Sequence, residues 1–329
     1  MRLRSRRETW PVAGVFRIAR GAVTAVEVVV VEVEEDGVVG RGEGCPESRY
    51  HEGAEGCLEQ IDGLRAHAEA GLDRVELQDL LPAGAARNAL DCALWDLEAK
   101  RRDVPAWRIA GLGGVQELVT AYTISLDRPE TMGERAAGAA DRPLLKIKLG
   151  GEGGALADVA RVAAVHAAAP SARLIVDANE AWNLEQLREI APRLADLGVE
   201  LIEQPLPASA DVALEGFASP VPLAADESCR DRGSLDAVRG RYHFVNIKLD
   251  KTGGLTEALA LAEAAAAADL RLMVGCMLGT SLAMAPAALI GQRCELVDLD
   301  GPLLLAEDRV PCIRYDGGVM LPAPRELWG

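Results

Sequence analysis

The hydrophobic pattern of the chain changes period about a third of the way along. In "VTAVEVVVVEVEEDGVVGRGEG" (23–44), apolar and polar positions alternate around Val28 to Glu34. That is the period of a half-buried strand. "EEDG" at 34–37 interrupts it with a hairpin-type turn, so the stretch predicts two strands joined there. "PAGAARNALDCALWDLEAKRR" follows, with Ala86, Leu90, Ala93, Leu94 and Leu97 at helical spacing. Together they predict an α+β unit over 1–113 that ends near the "GLGG" of 111–114.

Beyond it, short β-branched runs alternate with Ala-rich segments. The strands read as "VTAYTIS", "LLKIKL", "LIVDAN", "LIEQPL", "LAADES", "FVNIKLDK", "RLMVGCM" and "LVDLDG". "EQLREIAPRLADLG" and "LTEALALAEAAAAADL" are helical; the second has low complexity, but alanine is the best helix former. Eight strands with seven crossovers predict a closed parallel barrel of (β/α)7β form over 114–305. An open doubly wound sheet is the alternative, but no GxGxxG follows a first strand. The tail, 306–329, is too short for a domain and is expected to pack back on the first third.

Composition narrows the function classes. The chain has 329 residues and a formal net charge of −16, from 35 basic and 51 acidic residues. Such a surface repels nucleic acid and anionic membrane, so neither is expected as a partner. No apolar run reaches the ~18 residues of a membrane span. The basic start "MRLRSRRETW" has no apolar stretch behind it, so no secretory signal is expected. The seven cysteines are scattered and lack a CxxC pair, which fits reduced thiols in a cytoplasm. The four histidines lie far apart, with nothing to pair them. The oligomeric state stays open, a homo-oligomer included.

The chemistry sits at the strand ends. "LLKIKLGG" (144–151) sends Lys146 and Lys148 to one face of a strand that otherwise reads as core. Lys148, Asp177, Glu203, Asp226 and Lys248 follow one another at steps of 29, 26, 23 and 22 residues, each about one βα unit. One such charge at a strand end is merely solvated. Five in register place a group on each of five successive strands at the C-terminal rim, where barrel active sites are built. Asp177, Glu203 and Asp226 would repel one another without a cation, and their hard oxygen donors suit Mg2+. Zinc is disfavoured, with no His or Cys beside them. Lys248 and Lys251 are three apart, so one is expected to face inward; Lys248 fits the period, and Lys251 is expected at the rim or in a structural role. A metal between two lysines suggests proton abstraction next to a carboxylate, with the metal stabilising the enediolate that forms. Lys148 and Lys248 would be the two acid/bases, their pKa falling toward working pH beside the metal. Lys146 would help hold the carboxylate's charge.

The ordered motifs "KIK", "VDAN", "IEQP", "ADES" and "NIKLDKTGG" resemble the enolase superfamily, muconate-lactonising subgroup, over essentially the whole chain. The resemblance implies a capping domain on a (β/α)7β modified TIM barrel. It implies Asp177, Glu203 and Asp226 as Mg2+ ligands and Lys148 and Lys248 as bases. A His-based subgroup is disfavoured, because the seventh strand ends in "GCMLG".

The eighth strand discriminates among reactions. In "VDLDGP", Asp298 and Asp300 share parity, although "DG" also suits a turn. Beside a carboxylate-binding metal, an acidic pair asks for a substrate with an ammonium one short residue away, as in a dipeptide. The motif resembles dipeptide epimerases, most closely those acting on L-Ala-D/L-Glu, through "AGAARNALDCALWDL", "GRY" before "VNIKLDKTGG", and "GCMLGTSLA". That resemblance implies murein-peptide recycling in the bacterial cytoplasm, with Thr123 and Lys146 as substrate contacts. Arg20, in a cap loop that covers the site in this family, is expected to pair with a γ-carboxylate. Asn179 is left open between holding Asp177 and touching substrate, and Cys276 and Met277 between core and pocket. N-acylamino acid racemase and o-succinylbenzoate synthase are the alternatives within the superfamily. A catalytically silent binding barrel is the alternative outside enzymes.

Overall fold

The computed structural model describes residues 1–329. The first third is a three-stranded antiparallel meander of β1 (Arg2–Ile18), β2 (Gly21–Glu35) and β3 (Val38–Gly44). The expected hairpin is there, turning at Asp36 and Gly37, but β1 was not expected. Its many arginines hide a strand period, and only its pairing with β2 through 13 registered residues, with a shift between Pro11 and Phe16, reveals it. The helix Ala85–Arg102 lies across β3. Gly40, Gly42 and Gly44 permit this approach: a Cβ on any of them would collide with the carbonyl oxygens of Ala93, Ala89 and Ala85.

A two-stranded ribbon follows later in the chain. β4 (Leu118–Val119) joins β13 (Tyr315–Asp316) and β14 (Val319–Met320) in a small antiparallel sheet. The barrel strands lie between: β5 (Tyr122–Ile124), β6 (Leu144–Lys148), β7 (Arg173–Asp177), β8 (Val199–Glu203), β9 (Leu223–Ala225), β10 (Phe244–Ile247), β11 (Arg271–Val274) and β12 (Leu296–Val297). They form one parallel sheet in sequence order. The Ala121 N–H donates to Val297 O at 2.8 Å, which closes the sheet on itself. A core of 62 buried residues fills the space around the barrel and reaches the cap.

The cap is docked by hydrogen bonds as well as by packing. Arg87 donates to the carbonyls of Thr252 (2.7 Å) and Gly253 (3.1 Å), and Asn88 to Asp250 (2.7 Å). Thr256 donates to Asp91 through its hydroxyl (2.6 Å) and its N–H (3.0 Å). The second half of "NIKLDKTGG" is thus a socket for the cap helix. The C-terminal tail reaches the same helix: Trp328 donates to Cys92 O, and the Gly329 N–H to Asp96. All seven cysteines are free, and no helix is long and apolar enough to cross a membrane.

Candidate active site

The C-terminal mouth of the barrel opens into a cavity of about 580 Å3 roofed by cap residues, among them Phe16, Ile18, Arg20 and Tyr50. That volume suits a small-molecule site. Lys148, Asp177 and Glu203 are the last residues of β6, β7 and β8 and stand level in the register. Asp226 and Lys248 each follow their strand by one residue. Lys148 and Lys248 therefore come from β6 and β10, four strands apart in a ring of eight, on opposite sides of the mouth.

Buried charges here compensate one another. The Lys148 ammonium is 2.6 Å from Asp177 Oδ2, and Lys248 is 2.7 Å from Asp226 Oδ2. Lys146, 1% exposed, stands 2.7 Å from both Glu203 Oε2 and Asp298 Oδ2 and 3.4 Å from Asp177. Burial raises the Asp177 pKa, but Lys148 and Lys146 outweigh it and hold the group at about 2. Asp226 is likewise held well below the usual carboxylate range, because Lys248 and Lys251 outweigh its burial. Burial and the Asp177 charge push Glu203 up to about 7 despite Lys146. Burial and the Asp298 charge push Asp300 to about 7 as well.

One expectation needs correction. Lys251 has a structural role, as expected, but it does not face away from Lys248: it is fully buried, 2.7 Å from the second oxygen of Asp226, and donates to the carbonyls of Cys229 and Asn246. The short helix Leu249–Thr252, which starts after Lys248, bends the chain out of strand parity and returns Lys251 to the same carboxylate. Burial disfavours the Lys248 charge, but Asp226 and Glu203 outweigh it and raise its pKa above the ordinary lysine value.

No three carboxylates gather within coordinating distance of one point, because lysine ammoniums stand between them. Yet Glu203 Oε2 and Asp226 Oδ1 are buried and accept no aligned hydrogen bond, although a lysine lies 2.7 Å from each. Three acidic side chains on adjacent strands, two with an unaligned buried oxygen, fit a hard divalent cation.

The remaining expected residues reach the same cavity. Asn179 holds Asp177 through its N–H (2.9 Å) and side-chain amide (3.1 Å), in a left-handed conformation with φ 47°, and also lines the cavity. Asp298 and Asp300 line one wall, and Asp300 accepts the Thr123 N–H at 2.6 Å. Cys276 and Met277 line the cavity and also pack against the core. Arg20 arrives from the β1–β2 turn. Its Nη1 is 2.9 Å from Glu227 and 3.5 Å from Glu180 and donates to Asn179 O at 3.2 Å. No hydrogen bond to the protein uses its Nε or Nη2.

Several residues here escaped the sequence reading. Asn246 donates to Glu203 Oε1 at 2.7 Å; its parity with Lys248 was the available signal. Gln204 fixes the Asp226 loop by accepting the N–H groups of Asp226 and Ser228. Gly275 leaves room for Lys248: a Cβ there would lie 2.7 Å from Asn246 Oδ1 and 3.1 Å from Lys248 Cε. Glu180 takes a bidentate pair from Arg49 at 2.8 and 2.9 Å, a contact between cap and barrel that no spacing announces.

Comparison with known proteins agrees with this geometry. Residues 1–111 match the mandelate racemase / muconate lactonizing enzyme N-terminal domain, and residues 131–320 the enolase C-terminal domain-like family. The chain is 48% identical to an L-Ala-D/L-Glu epimerase of Escherichia coli, over 94% of this chain and 96% of that one. It is 44% identical to an N-acetyl-D-glutamate racemase of a Pseudoalteromonas species, over 92% and 95%. A crystal structure of an enolase family member from Agrobacterium tumefaciens, with homology to dipeptide epimerases and with bound sodium and L-Ala-L-Glu, superposes with a TM-score of 0.96 at 49% identity, covering 99% of each chain. The chain belongs to the enolase superfamily, with the two domains of its mandelate racemase / muconate lactonizing branch, and is an isomerase of the racemase and epimerase kind.

Proposed function

We infer that this isomerase inverts the α-carbon of the C-terminal residue of a dipeptide, L-Ala-D/L-Glu, by a two-base transfer between Lys148 and Lys248. The observation that carries this reading is the placement of Asp298 and Asp300 on one wall of the cavity, with Asp298 Oδ1 buried and unpartnered. An acidic pair beside two bases calls for a cationic group on the substrate, and the free ammonium of a dipeptide supplies it.

The remaining roles follow from position. Lys148 and Lys248 face the α-carbon from opposite sides, so one removes the proton and the other returns it to the opposite face. Abstraction adds negative charge to the substrate carboxylate, and Lys146 stands ready to meet it. Asp177, Glu203 and Asp226 would hold one Mg2+, which when bound supplies further positive charge to that carboxylate. Thr123 keeps Asp300 in place. Arg20, anchored through Nη1, offers its Nε and Nη2 edge to a γ-carboxylate. Such a substrate arises from murein peptides, which places the reaction in their recycling in the cytoplasm.

A second reading has its own support: the N-acetyl-D-glutamate racemase relative shares the glutamate but not the free ammonium. Proton NMR in D2O separates the two. With Mg2+ and L-Ala-L-Glu, the Glu α-proton signal should disappear as the L,D epimer forms. N-acetyl-L-glutamate should exchange at least tenfold more slowly. Faster exchange of the acetylated amino acid would overturn the dipeptide reading.

A further inference from the structure

The cavity at the barrel mouth has a neighbour. A second cavity of about 360 Å3 is lined by Val12, Ala13 and Val15 of β1, by the β5 region and by residues at the end of the helix Pro129–Ala137. Phe16, Thr123 and Leu304 line both cavities, so these three side chains form the partition between them.

The partition is held from all sides. Val12 bridges Leu305, and the Ala306 N–H donates to Pro11 O at 2.9 Å, tying β1 to the segment after β12. Arg17 N–H donates to Ser125 Oγ at 2.7 Å, and Leu126 N–H to Arg17 O at 3.0 Å, tying β1 to the end of β5. Leu304 closes the one-turn helix Gly301–Leu304 that begins at Asp300, and Asp300 accepts the Thr123 N–H. Asp300 and the partition are thus linked, through Thr123 and the helix that ends at Leu304. Beyond it the walls are mostly apolar. Their one charged residue, Arg135, is already engaged with Ser125 O and Asp127.

We propose that Phe16 and Leu304 set the size limit at the first residue of the dipeptide. This rests on the reading above, in which the substrate ammonium sits at Asp298 and Asp300. The first α-carbon is one bond from that nitrogen, so its side chain lies beside the partition. A methyl group fits in front of it. A longer apolar side chain meets Phe16 and Leu304, although a chamber large enough to hold it lies directly behind them.

The test compares kcat/KM for L-Ala-L-Glu and L-Leu-L-Glu, followed by α-proton exchange in D2O, in the full-length Mg2+-loaded enzyme and in Leu304→Ala and Phe16→Ala. Leu304→Val is the milder variant should truncation to alanine harm folding. The native enzyme should prefer L-Ala-L-Glu, and opening the partition should shift the ratio toward L-Leu-L-Glu by about tenfold or more. A native enzyme that accepts both dipeptides equally, or a ratio unmoved in every folded variant, overturns the proposal and leaves the dipeptide reading standing. A native enzyme that exchanges N-acetyl-glutamate but no free dipeptide overturns both.

Discussion

The two ends of the barrel interior are built from the same strands and obey opposite rules. At the N-terminal end, Leu144, Ile175, Leu201, Ala224, Phe244 and Leu296 belong to a small buried cluster of their own. Two residues further along each strand stand Lys146, Asp177, Glu203, Asp226, Asn246 and Asp298. Strand parity carries both layers to the barrel axis. The lower layer is satisfied by shape alone. The upper layer is stable only because each charge is met by another, since an unpaired buried charge is costly. A barrel of this kind separates stability from chemistry by about 7 Å of strand rise, so changes in the two layers should have separable effects.

The sharpest break is expected at Lys148 and Lys248, two residues beyond Lys146 and Asn246 of the upper layer. Lys148→Ala or Lys248→Ala should lower epimerisation by about four orders of magnitude, far out of proportion to the stability each loses by leaving a buried carboxylate without its partner. Each variant should still exchange the α-proton of one diastereomer with D2O, and the two variants should differ in which one. Exchange of both diastereomers in both variants would end the two-base account.

The matching change below should act in reverse. Phe244→Ala removes a buried ring on which the Arg271 guanidinium stacks at 4.1 Å. It should cost about 4 kcal/mol in urea unfolding with KM little changed. A KM effect as large as the stability loss would mean that the layers are not separable.

Ligand binding should stabilise through the upper layer alone. Mg2+ at about 100 times its Kd should add about 2.7 kcal/mol, seen as a higher Tm without any substrate present. Asp226→Asn should abolish that rise and Phe244→Ala should keep it. A rise retained in Asp226→Asn would place the cation elsewhere.

Arg20 probes the roof over the upper layer. Arg20→Ala should lose about 2 kcal/mol of transition-state binding for Ala-Glu, and much less for a dipeptide with a neutral second residue. Equal losses would remove the γ-carboxylate from its role.

The smallest effect concerns a buried carboxylate outside the barrel, at the joint with the cap. Burial raises the Asp91 pKa to about 6 against the hydrogen bonds from Thr256. The folded state therefore holds this proton more tightly than the unfolded chain, whose value is ~3.9. Its contribution is fully present below about pH 4 and is lost as pH rises through about 6. Relative to Asp91→Asn, the native chain should lose on the order of 1 kcal/mol between pH 5 and 7. A flat difference would show that Asp91 stays ionised.

Much of this was legible along the chain, because a barrel strand maps sequence position directly onto depth and side. One polar residue per βα unit, repeated at a period of 22 to 29, has few arrangements other than a ring. "KIK" could be read for the same reason: parity puts both lysines on one face. In "VDLD" the strand stops at Val297 and Asp300 caps a helical turn, so the pair reaches the cavity by a route that parity does not supply. β1 could not be read, because its exposed positions are crowded with arginines and its partner strand supplies the missing half of the pattern. Lys251 could not be read, because a single helical turn replaced strand parity after Lys248.

The order of the elements, the barrel and the identity of the charged ring were determined by local periodicity, which the residues carry with them. Three other features were decided only by tertiary structure. The first is the pairing within the charged ring, where Lys146 answers to Glu203 and Asp298 across the lumen. The second is the anchoring of Arg20 by Glu227, more than 200 residues away in sequence. The third is the partition of Phe16, Thr123 and Leu304, three segments from the two ends and the middle of the chain. Burial sets the strength of a charge, and packing sets the width of a passage. Both depend on what the distant chain brings alongside, and no local pattern contains that.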